Sequence, residues 1–319
     1  MDTGTDRRET DRPGTDRLGI GLAAVARPAY ITSGRATDLG DHRDVDALRA
    51  RTHAVLDAAW AAGVRYVDVA RSYGRAEEFV ASWRAAHPDR AVRVGSKWGY
   101  RYVGEWRLDA DVHEVKDHSL AAFTAQWAQT RAVLGVPAIY HVHSATLETG
   151  VLADAPLHGA LAGLREQGVR VGVSTSGPAQ ADAVRRALEV VVDGEPLFTS
   201  VQSTWNVLEP SPGPALAEAH AAGALVIVKE PVANGRLAPV PDADPRAAAL
   251  AQRAGVPLDR LAIAAALAQP WAGLVLSGAV DARQVASNVA ALSVPGDVLD
   301  VPAEDPAAYW AARSARAWS

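Results

Sequence analysis

Short runs rich in valine, isoleucine and leucine alternate along the chain with longer stretches of helical periodicity. The runs predict strands over 18–25, 65–69, 92–96, 138–142, 169–174, 199–202, 225–228 and 274–276. The stretches between them predict helices over 45–62, 76–86, 120–134, 157–166, 178–188, 214–222, 245–254 with 259–268, and 281–292, and a last one over 306–317. Ser119 before "LAAF" and Asp259 before "RLAIAAAL" read as helix starts. Gly63, Gly135, Gly168, Gly223 and Gly255 read as left-handed helix ends. Eight strand–helix units in roughly 280 residues match a closed parallel barrel. The competing doubly wound sheet usually carries a glycine-rich turn after its first strand, and "LGIGLAAVARPAY" has Gly19 and Gly21 without the third glycine. No internal repeat or linker divides the chain. The expected fold is α/β, a single (β/α)8 TIM barrel over 18–319 behind a disordered tail over 1–17.

Composition narrows the function classes. The 319 residues are 49% apolar and 22% charged, ordinary values for a globular protein. The formal charge of -5, with no basic stripe interleaved with aromatics, argues against a nucleic-acid partner. Without cysteine there is no disulfide, thiol nucleophile or Cys-based metal site. No apolar run approaches the roughly 20 residues that span a bilayer. The polar start "MDTGTDRRETDRPGTDR" lacks the apolar core of a secretory signal, so the expected location is cytoplasmic.

A barrel of this kind places its chemistry at the carboxyl ends of its strands. Asp68 ends the second predicted strand and Tyr73 follows on its loop; Lys97 ends the third and His143 the fourth. His141 shares a face with His143, but His143 is nearer the mouth. A tyrosine hydroxyl, with a reference pKa near 10, is a poor acid at neutral pH unless a neighbouring cation favours its phenolate. Lysine supplies that cation, aspartate holds the lysine, and histidine can orient a carbonyl oxygen; together they form a proton-donating centre. Taken singly, each residue has an ordinary explanation as a cap, a packed loop aromatic, a solvated strand-end charge or a rim histidine. Four in order on successive strands are harder to attribute to chance. Glu77 and Glu78 read only as the favourable acidic start of a helix.

Several segments resemble the aldo-keto reductase family in its order and spacing, over residues 18 to 292. They are "DVARSYGRAEE", "GSKWGY", "IYHVHSAT", "RVGVSTSGPAQADAV", "VQSTWNVLEP", "VIVKEPVANGRL" and "LSGAVDARQVASNVAAL". The resemblance implies Tyr73 as general acid, with Lys97 and Asp68 lowering its pKa and His143 orienting the carbonyl. It implies Ser174, Thr175 and Gln202 at the nicotinamide carboxamide and Trp205 stacked on the ring. It places Pro231, Val232, Asn234, Gly235, Gly278, Ala279, Gln284 and Asn288 along the phosphates and adenine. Thr175 stands where the family usually has asparagine, Trp205 where it has tyrosine, and Lys229-Glu230 replace an aromatic-serine pair. The family default is NADP(H). NAD(H) is the alternative, because the usual cation for the 2′-phosphate is missing around Val280-Asp281, leaving Arg236 or Arg283 to compensate.

For the substrate, the loop 98–119 offers Trp98, Tyr100, Tyr102 and Trp106 as an aromatic wall. Trp98, beside Lys97, and Tyr30, in the first loop, are the expected contacts along with His143. Asp117 and Ser119 read as capping residues. "HVH" and "HEVKDH" suggest a metal hydrolase, but the later strand ends carry Ser174, Gln202 and Lys229 rather than further ligands, so no metal is expected. The expected activity is hydride transfer between a nicotinamide cofactor and an aldehyde, ketone or sugar. The rival is a cofactor-binding barrel with a sensor or regulatory role and little turnover.

Overall fold

The computed structural model describes residues 14–318. Eight parallel strands close into a barrel in sequence order: β1 (Leu18–Gly21), β2 (Tyr66–Asp68), β3 (Arg93–Trp98), β4 (Ile139–Ala145), β5 (Arg170–Thr175), β6 (Ser200–Thr204), β7 (Leu225–Lys229) and β8 (Leu274–Ser277). Ile20 of β1 stands opposite both Val67 of β2 and Ser277 of β8, which closes the ring. All eight predicted strands are present. The first is shorter than predicted, because the chain after Gly21 turns and the Val25 and Ala26 amides both return to the Leu22 carbonyl. The fourth is longer and carries a register shift after Val142, with Ser144 in the left-handed region at φ 54°. Such a bulge re-aims the side chains that follow it.

The predicted helices surround the barrel, among them Val45–Ala61, Ala76–Ala86, Leu120–Leu134, Leu258–Leu267 and Pro306–Ser314. Helix Ala76–Ala86 buries Phe79, Val80 and Trp83 completely, and each such burial contributes about 1.5–3 kcal/mol. Ser119 caps its helix as predicted, accepting from the Ala122 amide at 3.1 Å. Asp259 does not cap: its helix starts at Leu258, and its Oδ2 instead accepts from Asn288 Nδ2 at 2.8 Å.

The helix Arg35–Leu39, the hairpin Tyr100–Tyr102 with Glu114–Lys116, and the pair Val191–Val192 with Glu195–Pro196 were not predicted. All are short, and half-exposed strands of two or three residues have too few positions to show a period. Of the tail expected over 1–17, residues 1–13 lie outside the described residues. Residues Thr15–Arg17 form a turn of 3-10 helix, where Thr15 is buried and Arg17 donates to the Leu267 and Ala272 carbonyls.

The barrel floor depends on glycine. A Cβ on Gly95 of β3 would lie 2.1 Å from the Tyr66 hydroxyl, so the Tyr66 ring can cross the interior only because Gly95 has no side chain. Directly above that ring lies Asp68.

Candidate active site

Asp68, at the end of β2, is 2% exposed and faces into the barrel. A buried carboxylate needs a cation and hydrogen bonds, and both arrive from other strands. Lys97 Nζ, from the neighbouring β3, pairs with Oδ1 and also donates to the Val69 carbonyl at 3.0 Å. Gln202 Nε2, from β6 across the barrel, donates to Oδ2 at 2.8 Å. Lys97 Nζ lies 4.8 Å from the centre of the Tyr73 ring. The His143 ring meets the Tyr73 ring edge-on at 5.4 Å and the Tyr100 ring at 5.0 Å. His143 is fixed from behind by His118, whose Nε2 contacts its carbonyl oxygen at 2.9 Å. His141, two residues earlier on β4, sits deeper in the barrel, with its Nε2 3.0 Å from Ser200 Oγ.

The electrostatics differ from the expectation in one respect. Burial first, and then the Asp68 carboxylate, push the Tyr73 hydroxyl well above its ordinary value. The cation that opposes this rise is Arg27, whose guanidinium carbon stands 5.0 Å from the ring centre. Burial also lowers the Lys97 ammonium, against the pull of Asp68. Burial, with Lys97, Lys229 and Arg27, drives His143 well below the usual imidazole range. At neutral pH the site therefore holds a protonated tyrosine and an uncharged histidine.

The constellation opens onto a cavity of about 240 Å³ at the strands' carboxyl ends. Asp68, Tyr73, His143, Gln202, Tyr30, Pro231, Val232, Asn234 and Gly278 all line it. A second cavity of about 290 Å³ is lined by Gly235, Ala279, Gln284 and Asn288. Thr32, Val232 and Gly278 line both. The two form one elongated cleft in the order expected for nicotinamide, pyrophosphate and adenosine. The fit to a dinucleotide is supported by two features. A Cβ on Gly278, at the junction, would meet nothing within 4 Å, and the buried Asn234 Oδ1 and Asp259 Oδ1 have no partner among the described residues.

Four expected contacts are placed elsewhere. Trp98 is fully buried against Phe123 and His118, at 5.2 and 5.8 Å, and Tyr100 takes its place on the cavity wall. Trp205 packs edge-on against Trp271 at 5.7 Å and lines neither cavity. Ser174 Oγ accepts from the Ser144 amide at 2.9 Å, holding the bulge of β4. Thr175 turns its hydroxyl to Ser203 at 2.6 Å, and Ser176 lines the cavity instead. Thr175 and Trp98 each follow an inward-facing residue, Ser174 and Lys97, so the alternation of the strand turns them away from the barrel interior. Of the remaining loop aromatics, Trp106 donates to the Arg43 carbonyl at 2.8 Å and so pins its loop.

Sequence reasoning missed Arg27, Ser176 and the chain's end. Arg27 is 1% exposed, bonded to Glu114 of the hairpin at 2.6 Å, and lies over the rings of Tyr30, Tyr73 and Trp318. Trp318 stacks on His113 at 4.4 Å and walls the cavity. Neither belongs to a strand end, so the barrel rule could not select them.

No curated protein matches the sequence. Among solved structures, an aldo-keto reductase of Bacillus halodurans in its holo form is 20% identical. It covers 93% of this chain and 91% of its own, with a TM-score of 0.63. A Pseudomonas aeruginosa protein named as a putative aldo-keto reductase is 21% identical over 86% of this chain and 90% of its own, with a TM-score of 0.60. The likeness of these two structures shows the fold. The model of the Aldo/keto reductase family matches residues 36–302, most of the chain, and leaves outside it the cleft residues of the first loop and the chain's end. The chain belongs to the aldo-keto reductase family.

Proposed function

We propose that this protein reduces a small carbonyl compound, or oxidises the corresponding alcohol, with Tyr73 as the general acid or base. One observation carries the reading: Tyr73, His143 and Asp68 share the wall of one cavity, with Lys97 bound beneath. The nicotinamide cofactor, when bound, supplies or accepts the hydride. The protein's part is to move the proton. The Tyr73 hydroxyl, kept protonated by burial, gives its proton to the carbonyl oxygen as negative charge develops there. Arg27 and Lys97 beside the ring then offset the charge left on the phenolate. His143, uncharged, can donate a hydrogen bond to the same oxygen without competing for the proton. Asp68 and Gln202 fix the lysine's position from below.

NADP(H) is the cofactor the family resemblance implies, and Arg283, which lines the adenosine cavity, would supply a cation for its 2′-phosphate. A specific observation supports NAD(H) as a second reading. Arg283 is paired with Asp281 at 3.0 Å, and Asp38 lines the same cavity, its carboxylate bonded to Gln284 at 2.7 Å. Fluorescence titration with NADPH and NADH separates the two; with Arg283 already held by Asp281, NADH affinity should be at least equal to that for NADPH. The test of the chemistry is Tyr73→Phe. Its turnover on a panel of aldehydes, ketones and aldoses should fall roughly 10²–10⁴-fold with cofactor affinity preserved. Undiminished turnover would sink the assignment of Tyr73.

A further inference from the structure

The charges around the reaction cavity do not balance. Arg27, Lys97, Lys229 and Arg313 bring four cations to it, against the three carboxylates of Asp68, Glu114 and Glu230. Three pairs are satisfied: Lys97 with Asp68, Arg27 with Glu114 at 2.6 Å, and Arg313 with Glu230 in a two-pronged contact, one prong at 2.9 Å. Lys229 is left over. Its Nζ donates to Thr204 Oγ1 at 2.7 Å and stands 3.9 Å from a Glu230 already held by Arg313. One Lys229 contact leaves two ammonium protons for the cavity. Across the same space, Arg27 spends Nε and Nη1 on Ala23, Ser72 and Glu114, while its Nη2 has no partner among the described residues. An uncompensated buried cation is costly, and an anion arriving there removes the cost.

We propose that the carbonyl substrate carries an oxyanion, a carboxylate or a phosphate ester, and that Lys229 and Arg27 recognise it inside the reaction cavity. The inference rests on the reading of that cavity as the site of carbonyl chemistry. Lys229 lines the cavity of Tyr73, His143 and Arg27 and not the adenosine cavity, and its place there with Arg27 points to a group beside the reacting carbonyl. Arg27 lies over the Tyr73 ring, which places the oxyanion within a few atoms of the reacting carbonyl. The cavity of about 240 Å³ also takes the nicotinamide, which leaves room for a compound of only a few carbons. Arg27 falls outside the residues 36–302 that match the family model and Lys229 within them, so the pair joins the first loop of the chain to a strand end of the matched region.

The pH dependence follows. Lys229 is faced by Glu230, by Arg313 from the last helix, and by Asp68 and Lys97 across the barrel; His143 shares the cavity. Burial brings its ammonium down to about 8. Burial alone would raise Glu230, but Arg313 and Lys229 hold it at about 2; with His143 kept neutral, neither changes charge near pH 8. Preference for an anionic substrate should therefore be full below pH 8 and fade above it. Lys97 does not line the cavity and is bound to Asp68 and the Val69 carbonyl beneath it, so its titration acts first on turnover of charged and neutral substrates alike.

The experiment compares 4-oxobutanoate with butanal, and glyceraldehyde 3-phosphate with glyceraldehyde, by kcat/KM and by calorimetric binding to the cofactor complex. The anionic member of one pair should be preferred on the order of ten- to a hundredfold, as expected for a charge-assisted bond; which pair shows it separates carboxylate from phosphate. Lys229→Met should reduce that ratio at least tenfold, and Lys229→Arg should restore most of it. The ratio in the unmodified enzyme should drop between pH 7 and 9, a readout that needs no variant to fold. Ratios near one in both pairs would overturn the proposal. So would a Lys229→Met variant that loses cofactor affinity while keeping the ratio, since Lys229 would then be serving the pyrophosphate. If calorimetry shows the anion preference but no hydride transfer occurs, the reductase reading fails while this recognition stands.

Discussion

Asp68 and Glu77 stand on either side of Tyr73, each 2% exposed and each paired with a cation. Both partner networks reach β3, and there the two carboxylates part. Ser96 points outward from β3 and donates to Glu77 at 2.6 Å, in the layer between barrel and helices. There Thr130 adds a second bond at 2.9 Å and Arg71 supplies the cation. Lys97, one residue on, points inward to Asp68. The alternation of one strand therefore sends two adjacent side chains to two carboxylates with different consequences. Asp68 lines the reaction cavity and can act on Tyr73; Glu77 lines neither cavity of the cleft and ties loop, strand and helix behind it. Burial of a carboxylate identifies a costly group, and only the face it occupies says whether the cost serves chemistry or architecture.

The largest expected effect separates them by turnover. Asp68→Asn frees Lys97 and should lower kcat by about 10²-fold or more, since the positioned proton donor loses its support. Glu77→Gln, in contrast, should leave kcat of the folded enzyme within a few-fold while destabilising it by about 3–5 kcal/mol, the effect of breaking a buried pair. Thermal melts and initial rates on both variants check this; equal losses of kcat would erase the distinction.

Next in size is an acid effect in which buried histidines take the largest part. Burial, with Lys97 nearby, holds His141 at about 3, and burial, against the contact to the His143 carbonyl, holds His118 at about 4. The unfolded chain binds protons on these rings below pH 6.5, and the folded one refuses them. Stability should therefore be full above pH 6.5 and decline as pH falls toward 4. The midpoint of thermal unfolding followed over that range tests it. His141→Gln should flatten the slope, whereas Thr130→Val on the outer side should lower stability without changing it. The smallest effect is Ser96→Ala, which removes one of three partners of Glu77 and should cost about 1–2 kcal/mol with turnover unaltered.

The contrast also marks what could be read in advance. Asp68, Tyr73, Lys97 and His143 were legible because a barrel fixes where strand ends meet, and the pattern of apolar runs had located those ends. Glu77 was read as a helix's acidic first turn, which its position permits. Its burial depends on Ser96 and Thr130, residues with no local signal, brought to it from elsewhere in the chain. Trp98 was expected in the cleft because it follows Lys97, and Trp205 by motif position, and each packs outside it against an aromatic neighbour. Motif order survives a one-residue change of face; side-chain direction does not.

The sequence by itself determined the eight-fold alternation, the order of the strand-end groups and the family, because periodicity and motif spacing are local properties of the chain. The tertiary structure alone decided which charges share the cavity. Arg27 and Trp318 are 291 positions apart in the sequence, yet the guanidinium lies 4.9 Å from the indole at the mouth of the barrel. The excess cation there exists only because loops and the C-terminal helix from both ends of the chain close over one site. A charge balance belongs to a place in space, and no stretch of sequence contains it.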